Sequence, residues 1–524
     1  MRPGYAVNWH ASCLCPSMSK RGCVNLGLIS LVVAVMGASC LAACSDSSDG
    51  GGAKAGNAGQ SGESGEAGES SGGAHAGSGG KSGAGGGTGA HAGKGGSGEA
   101  GTNSAGDSAG GVGGSDDGMG GEAGAVAEWV VDPELKKLSP LPALPADPTN
   151  KYANNADAAV LGQRLFFDKR YSGALIIDSA LGTAGETGKV ACATCHLGPA
   201  MSDGRAPFTV TVGTDRHSRN APALLNSSFY EWTNWGGRFA AQWELPLAVA
   251  ENAVTMNSTR LKLAHFMYDN YKDAYEALFG ALPAALAPAA VDAARFPATG
   301  KPGQAVWDAG TTTMTDADKT AVNLIIVNYG KAIQAYMRKL VSRNAPFDQY
   351  VANGGGGLSE SAIRGSLLFV GKAKCSSCHS GPFMSDNKFH NLGLGDDDGR
   401  FKDAGALKGS TLNIDSAFSD KTDTGRLAGL TNPMTDPTTH AAFRTASLRE
   451  VKDTGPYMHA GQLTTLEDVV SFYDAGGGAP ATGSTKDPLL TPLSLSEAEK
   501  ADLVEFLKTL SGEPVPASLL VTVP

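Results

Sequence analysis

Through the second part of the chain, apolar positions recur every three to four residues, the spacing of helices buried along one face. The pattern predicts a helix over 320–342, TAVNLIIVNYGKAIQAYMRKLVS, and another in SLSEAEKADLVEFLKTLSG (494–512). In the latter Leu503, Phe506, Leu507 and Leu510 make one stripe, and Ser494 with Glu497 could form a capping box. Strand signals are few. Two further helical stretches resemble each other: AAVLGQRLFFD (158–168) and SAIRGSLLFVG (361–371) both set a Gly before an aromatic end.

Each of these twin helices is followed by the same chemistry. KVACATCH (189–196) and KAKCSSCH (372–379) carry Cys-x-x-Cys-His, and GPAMSD (198–203) and GPFMSD (381–386) follow two residues after the His. In this pattern two thiols add to haem vinyl groups and the adjacent His coordinates iron. A zinc ribbon or a thioredoxin-like site would use the Cys pairs but needs no His after both. The sequence therefore predicts a mostly α fold with two cytochrome c-like haem domains in tandem, spanning 128–345 and 346–524. Cys192, Cys195, Cys375 and Cys378 are the attachment points, with His196 and His379 as proximal ligands. Met201 and Met384, five residues past each His, are expected on the proximal side and not as axial ligands.

The other five of nine cysteines lie before residue 45, which leaves no thiol for a structural disulfide. Lys20 and Arg21 precede the apolar run LGLISLVVAVMGASCLAAC, which reads as a lipoprotein signal (1–43) with translation starting at Met18, cleaved before a lipidated Cys44. Residues 44–127, rich in Gly, Ala and Ser and free of Pro, cannot bury a core and are expected to be a disordered tether. Export to the periplasm and membrane attachment through lipid follow as expectations. A net charge of −10 argues against nucleic acid as partner.

LGQRLFFD, CATCH, RNAPALLN, WGGR, AFRTASLREV, TGPYMHAGQ and VVSFYDAGG occur in the order found in bacterial di-haem cytochrome c peroxidases, the family that includes MauG, and the chain resembles that family along nearly everything after residue 127. The resemblance implies two c-type haems, reduction of hydrogen peroxide at one of them, and a calcium ion between the domains. Asn220 would offer calcium its side chain, and Thr454 and Pro456 their carbonyls, the oxygen donors such a cation requires.

The family places the second axial ligand of the C-terminal haem seventeen residues after the Pro of PYMH, which here is Tyr473. Ordinary members use Met there and MauG-like members Tyr. A thioether raises the iron potential, whereas a hard anionic phenolate favours the oxidised metal. Gln242 matches the peroxide-site Gln. The companion Glu corresponds to Glu251 by spacing or to Thr255 by motif, and Glu251 is the expected acid–base residue. The inter-haem Trp is Trp235 by motif or Trp232 by distance from Gln242. His217 lies near a loop that supplies a removable ligand in some members, and His390 and His459 are expected as hydrogen-bond partners. The resemblance thus implies an enzyme taking electrons from the side chains of a protein substrate or, alternatively, from a small redox protein. A reading of another class is a di-haem electron carrier without chemistry of its own.

Overall fold

The computed structural model describes residues 130–203, 210–288, 294–308, 313–395, 399–421, 424–428 and 437–523; the expected signal and tether lie outside them. Among the described residues the helices are α1 (Pro133–Lys136), α2 (Ala156–Phe167), α3 (Cys192–Cys195), α4 (Glu244–Glu251), α5 (Arg260–Phe279), α6 (Ala305–Asp308), α7 (Asp316–Met337), α8 (Pro346–Ala352), α9 (Glu360–Val370), α10 (Gly399–Lys408), α11 (Thr424–Ala428), α12 (Leu466–Asp474) and α13 (Glu497–Lys508). Sheet is limited to two short pairs. Strand β1 (Phe389–Asn391) runs antiparallel to β3 (Ala442–Arg444), and β2 (Leu394–Gly395) parallel to β4 (Ala479–Pro480). No helix among the described residues is long and apolar enough to cross a membrane.

The twin helices owe their Gly to the same contact. A Cβ on Gly162 of α2 would lie 1.9 Å from the Ala332 carbonyl oxygen of α7, and one on Gly365 of α9 would lie 1.9 Å from that of Asp502 in α13. Without side chains at the crossing, two helix backbones touch. Around each crossing a core closes. The first holds Leu161, Phe166, Trp243, Ile326 and Tyr336, and the second Phe347, Phe369, Val470, Phe506 and Leu510. Both lie in one compact unit.

Two local expectations shift. Helix α7 starts earlier than the apolar pattern, at Asp316, because Thr315 and Asp318 cap each other. The capping box of α13 is Ser496 with Glu499, not Ser494 with Glu497, because Ser494 sits in left-handed backbone (φ 55°) before the first turn.

The cores are not two consecutive stretches of chain. Val131, Leu135 and Leu138 pack into the second core, while Leu407, Leu412, Ile414 and Val515 pack into the first. Polar contacts fix the exchange. Buried Arg449 pairs with Asp348 at 2.6 Å and donates to the Leu138 carbonyl at 3.1 Å, and Ser139 donates to Asp348 at 2.6 Å. At the other crossing Gln163 of α2 donates to the carbonyls of Ser518 (2.6 Å) and Val521 (2.8 Å). The predicted limits 128–345 and 346–524 thus separate residues that share a core.

Candidate functional site

The two Cys-x-x-Cys-His segments fold alike. Gly198 and Gly381 take φ 66° and 65°, Met201 and Met384 both take φ 52°, and each Met carbonyl turns back to the preceding His. His196 Nδ1 meets the Met201 carbonyl at 3.0 Å and His379 Nδ1 meets that of Met384 at 3.2 Å. The Pro222 and Ala446 carbonyls reach the same two rings. Bonding at Nδ1 fixes the tautomer and leaves Nε2 free for a metal. Burial lowers the pKa of His196 and takes His379 down to about 4, so both are neutral and ready to ligate. Met201 and Met384 side chains are buried at 2% and 0% exposure; their carbonyls, not their sulfurs, serve the site.

A large cavity opens on the second His. Cys375, Cys378, His379 and Tyr473 line it together with Phe369, Val470, Leu503 and Leu507. Two thiols, an imidazole and a phenol on apolar walls are a donor set that fits a covalently held haem. Burial raises the Cys375 thiol to about 12, and burial, then the charges of Cys375 and Cys378, push the Tyr473 phenol up. At the first site burial raises the Cys192 thiol to about 11. The buried hydroxyls of Tyr171 and Tyr329 lie 2.9 Å apart in the core against which Cys192 packs.

One segment joins the two sites. Asn220, Ala221 and Pro222 form part of the wall of the second cavity, while the Pro222 carbonyl faces His196. Trp235 lines the same cavity and donates its indole N–H to the Asn220 carbonyl at 2.7 Å. Trp232 stands elsewhere, its ring 4.7 Å from the guanidinium of Arg400. A cation on an indole opposes removal of an electron from it, whereas an accepting carbonyl eases that removal. Of the two candidates, Trp235 is the one that lines the cavity and has a carbonyl rather than a cation against its ring.

Asn220, Thr454 and Pro456 also line this cavity, and the Asn220 amide lies 3.4 Å from the Pro456 carbonyl. These neutral oxygens fit a hard cation that completes its shell with water. His390 is clamped between Asp386 (3.0 Å) and Asp487 (2.6 Å). Its pKa is raised to about 10 by the hydrogen bond to Cys378 and then by the two carboxylates, against burial. His459 stacks on Phe443 with ring centres 3.8 Å apart, and His217 accepts from the Arg219 N–H at 3.1 Å.

Gln242 is buried, accepting from Ser228 and donating to Ser227, both at 2.8 Å. Neither expected companion is free. Arg260 holds Glu251 at 3.0 and 3.2 Å, and Thr255 donates its hydroxyl to the carbonyls of Val249 (2.5 Å) and Asn252 (3.2 Å). The sequence reading passed over Glu244, two residues from Gln242. It is 3% exposed, one carboxyl oxygen has no partner, and burial lifts its pKa to about 8. The only signal for it was a charged residue amid the apolar AAQWELP; burial made it a candidate.

With paired haem-binding segments joined by one stretch of chain, the site is that of a two-centre redox enzyme. A family profile described as di-haem cytochrome c peroxidase matches residues 156–355. The chain is 34% identical over 391 residues to cytochrome-c peroxidase IdrP1 of Denitromonas iodatirespirans, covering 72% of this chain and 88% of that protein. It is 29% identical to methylamine utilization protein MauG of Methylorubrum extorquens (69% and 80% covered) and 27% to cytochrome c551 peroxidase of Pseudomonas aeruginosa (67% and 78%). The chain belongs to the di-haem cytochrome c peroxidase family. It is an oxidoreductase with peroxide as acceptor, and membership implies two c-type haems.

Proposed function

We propose that this enzyme uses Tyr473 as the second axial ligand of its C-terminal haem and, in the MauG-like manner, oxidises side chains of a partner protein. The observation that carries the reading is the position of the Tyr473 phenol in the cavity of Cys375, Cys378 and His379. Bound there, the haems supply the redox chemistry, and the chain's residues govern where charge and protons go. Cys192, Cys195 and His196 would hold the peroxide-reactive haem, and Cys375, Cys378, His379 and Tyr473 its partner. A phenolate favours the more oxidised iron, which suits storage of an oxidising equivalent. Trp235 would pass electrons between the sites.

At the peroxide site Gln242 would orient the substrate, its amide held by Ser227 and Ser228. Peroxide cleavage moves a proton from the near oxygen to the far one, which calls for a group that titrates near neutrality. Glu244 suits that work better than Glu251, which Arg260 neutralises. Calcium at Asn220, Thr454 and Pro456 would brace the segment between the haems. Export, a lipid on Cys44 and a disordered tether remain part of the proposal, as do tandem haem domains in a periplasmic enzyme.

The test is to add stoichiometric peroxide to the fully oxidised protein, alongside Tyr473→Phe, and follow both haem spectra. The proposal expects a response without pre-reduction that the variant loses at the second haem. A response only after that haem is reduced would identify an ordinary peroxidase fed by a small redox protein. Inertness in every state would identify an electron carrier.

A further inference from the structure

We propose that a second electron route leaves the first haem site through tyrosines and ends at a surface recess around Tyr271, where small anionic phenols are oxidised one electron at a time. The proposal rests on the first haem being the peroxide site.

The route starts at Cys192, which packs against the buried core that holds Tyr171 and Tyr329. Each ring is fully buried, and neither has a part in binding peroxide or in the path through Trp235. From Tyr171 the rings continue outward, to Phe266 with centroids 5.4 Å apart and on to Tyr271 at 5.7 Å. Tyr271 breaks helical geometry inside α5 (φ −134°, ψ 15°) and donates its hydroxyl to Asp168 at 2.9 Å. A phenol that loses an electron becomes a strong acid. That acidity is strong enough for even the Arg170-paired Asp168, already hydrogen-bonded to the phenol, to take the proton as the electron leaves. Phe266, with the Arg170 guanidinium 5.2 Å from its ring centre, is not itself oxidised and serves only as the medium between the two phenols.

The terminus is a recess whose polar lining is Arg164, Asp168, Lys169, Arg170, Asn270 and Tyr271, closed by Phe167, Thr522 and Val523. Three cations face one carboxylate there, and that carboxylate is held by Arg170 at 2.6 Å. Arg164 Nε is shut off from solvent and has no hydrogen-bond partner. Such a rim favours an anion. Because the Tyr271 radical takes back an electron and a proton together, the donor that suits it is one that releases both, as phenols do.

The step balances as follows. Tyr271 would give an electron inward toward Tyr171 and the residues that would hold the first haem, which supplies the oxidising equivalents drawn from peroxide, and its proton to Asp168. The donor then returns an electron to Tyr271 and releases its own proton to water, making up the proton taken up with each electron at the peroxide, while Asp168 gives its proton back to the phenol. Two turns match one peroxide: H2O2 + 2 AH gives 2 H2O + 2 A•.

The test mixes the holoenzyme with peroxide in the presence of a nitroso spin trap and maps the adduct by peptide mass spectrometry. It also measures oxidation of 4-hydroxyphenylacetate and of tyramine, similar phenols of opposite charge. We expect the adduct on Tyr271, its loss in Tyr271→Phe and its decrease in Asp168→Asn. Tyr271→Phe should lower 4-hydroxyphenylacetate oxidation by about tenfold or more, while the haem spectra still respond to peroxide as in the wild type. An adduct confined to other residues, or wild-type oxidation by Tyr271→Phe, overturns the route. Equal use of the two phenols overturns the anionic class. Haem spectra that ignore peroxide would overturn the peroxide-site reading as well, which separates the two failures.

Discussion

The imidazole Nδ1 of His196 lies 3.0 Å from the carbonyl oxygen of Met201, and the same bond, at 3.2 Å, links His379 to Met384. Both Met residues adopt φ 52°, a left-handed conformation that turns the carbonyl toward the ring. A repeated Met that looks like an iron ligand in the sequence is thus a backbone device with a side chain buried beneath it.

Met201→Leu and Met384→Leu should therefore leave the visible haem spectra unchanged. The swap conserves volume, so each should cost less than about 1.5 kcal/mol in a denaturant melt. A spectral change at either haem would mean that sulfur, not carbonyl, matters.

Gly162→Ala and Gly365→Ala each drive a methyl group into a carbonyl of the crossing helix. Overpacking of about 1–3 kcal/mol should exceed the gain of up to ~1 kcal/mol that Ala brings to a helix interior. Both variants should be less stable by equilibrium unfolding, although propensity alone predicts the reverse.

Arg449 and Asp348 are an ion pair with side-chain exposures of 2% and 8%. Arg449→Met leaves the Asp348 carboxylate buried and removes the donor to Leu138. A loss of about 3–5 kcal/mol is expected, read as a drop in melting temperature.

Burial holds the folded-state pKa of Glu244 at about 8, against 4.5 for the free group. Between those values the native protein keeps a proton that the unfolded chain releases, so this group makes stability fall as pH rises. Glu244→Gln should match the wild type in stability below pH 4.5 and gain on it steadily toward pH 8, by an amount measured in melts across that window. The same variant should slow the reaction with peroxide, whereas Glu251→Gln should leave it near the wild-type rate.

Trp235→Phe should slow passage of oxidising equivalents from the first haem to the second by about tenfold or more, followed by stopped-flow absorbance. Trp232→Phe should not, because Arg400 stands over that ring.

Much of this protein could be read without a structure. Attachment of haem to Cys-x-x-Cys-His depends on bonds between near neighbours in the chain, so its spacing survives in the sequence, and so does the 3.6-residue period of α7 and α13. The capping box of α13 was misplaced by two residues because Ser494 and Ser496 offer the same hydroxyl, and only backbone direction separates them.

Tertiary structure decided everything that depends on what a side chain meets across the fold. Trp232 and Trp235 are the same indole until one faces Arg400 and the other the Asn220 carbonyl. Glu244 and Glu251 are the same carboxylate until one is buried with an oxygen unpartnered and the other is paired with Arg260. The exchanged segments, with residues 131–138 in the second core and 515–520 against the first, leave no periodic trace, since apolar side chains signal burial but not their neighbours. Local chemistry is written in spacing; proton and electron affinity are set by surroundings that come together only on folding.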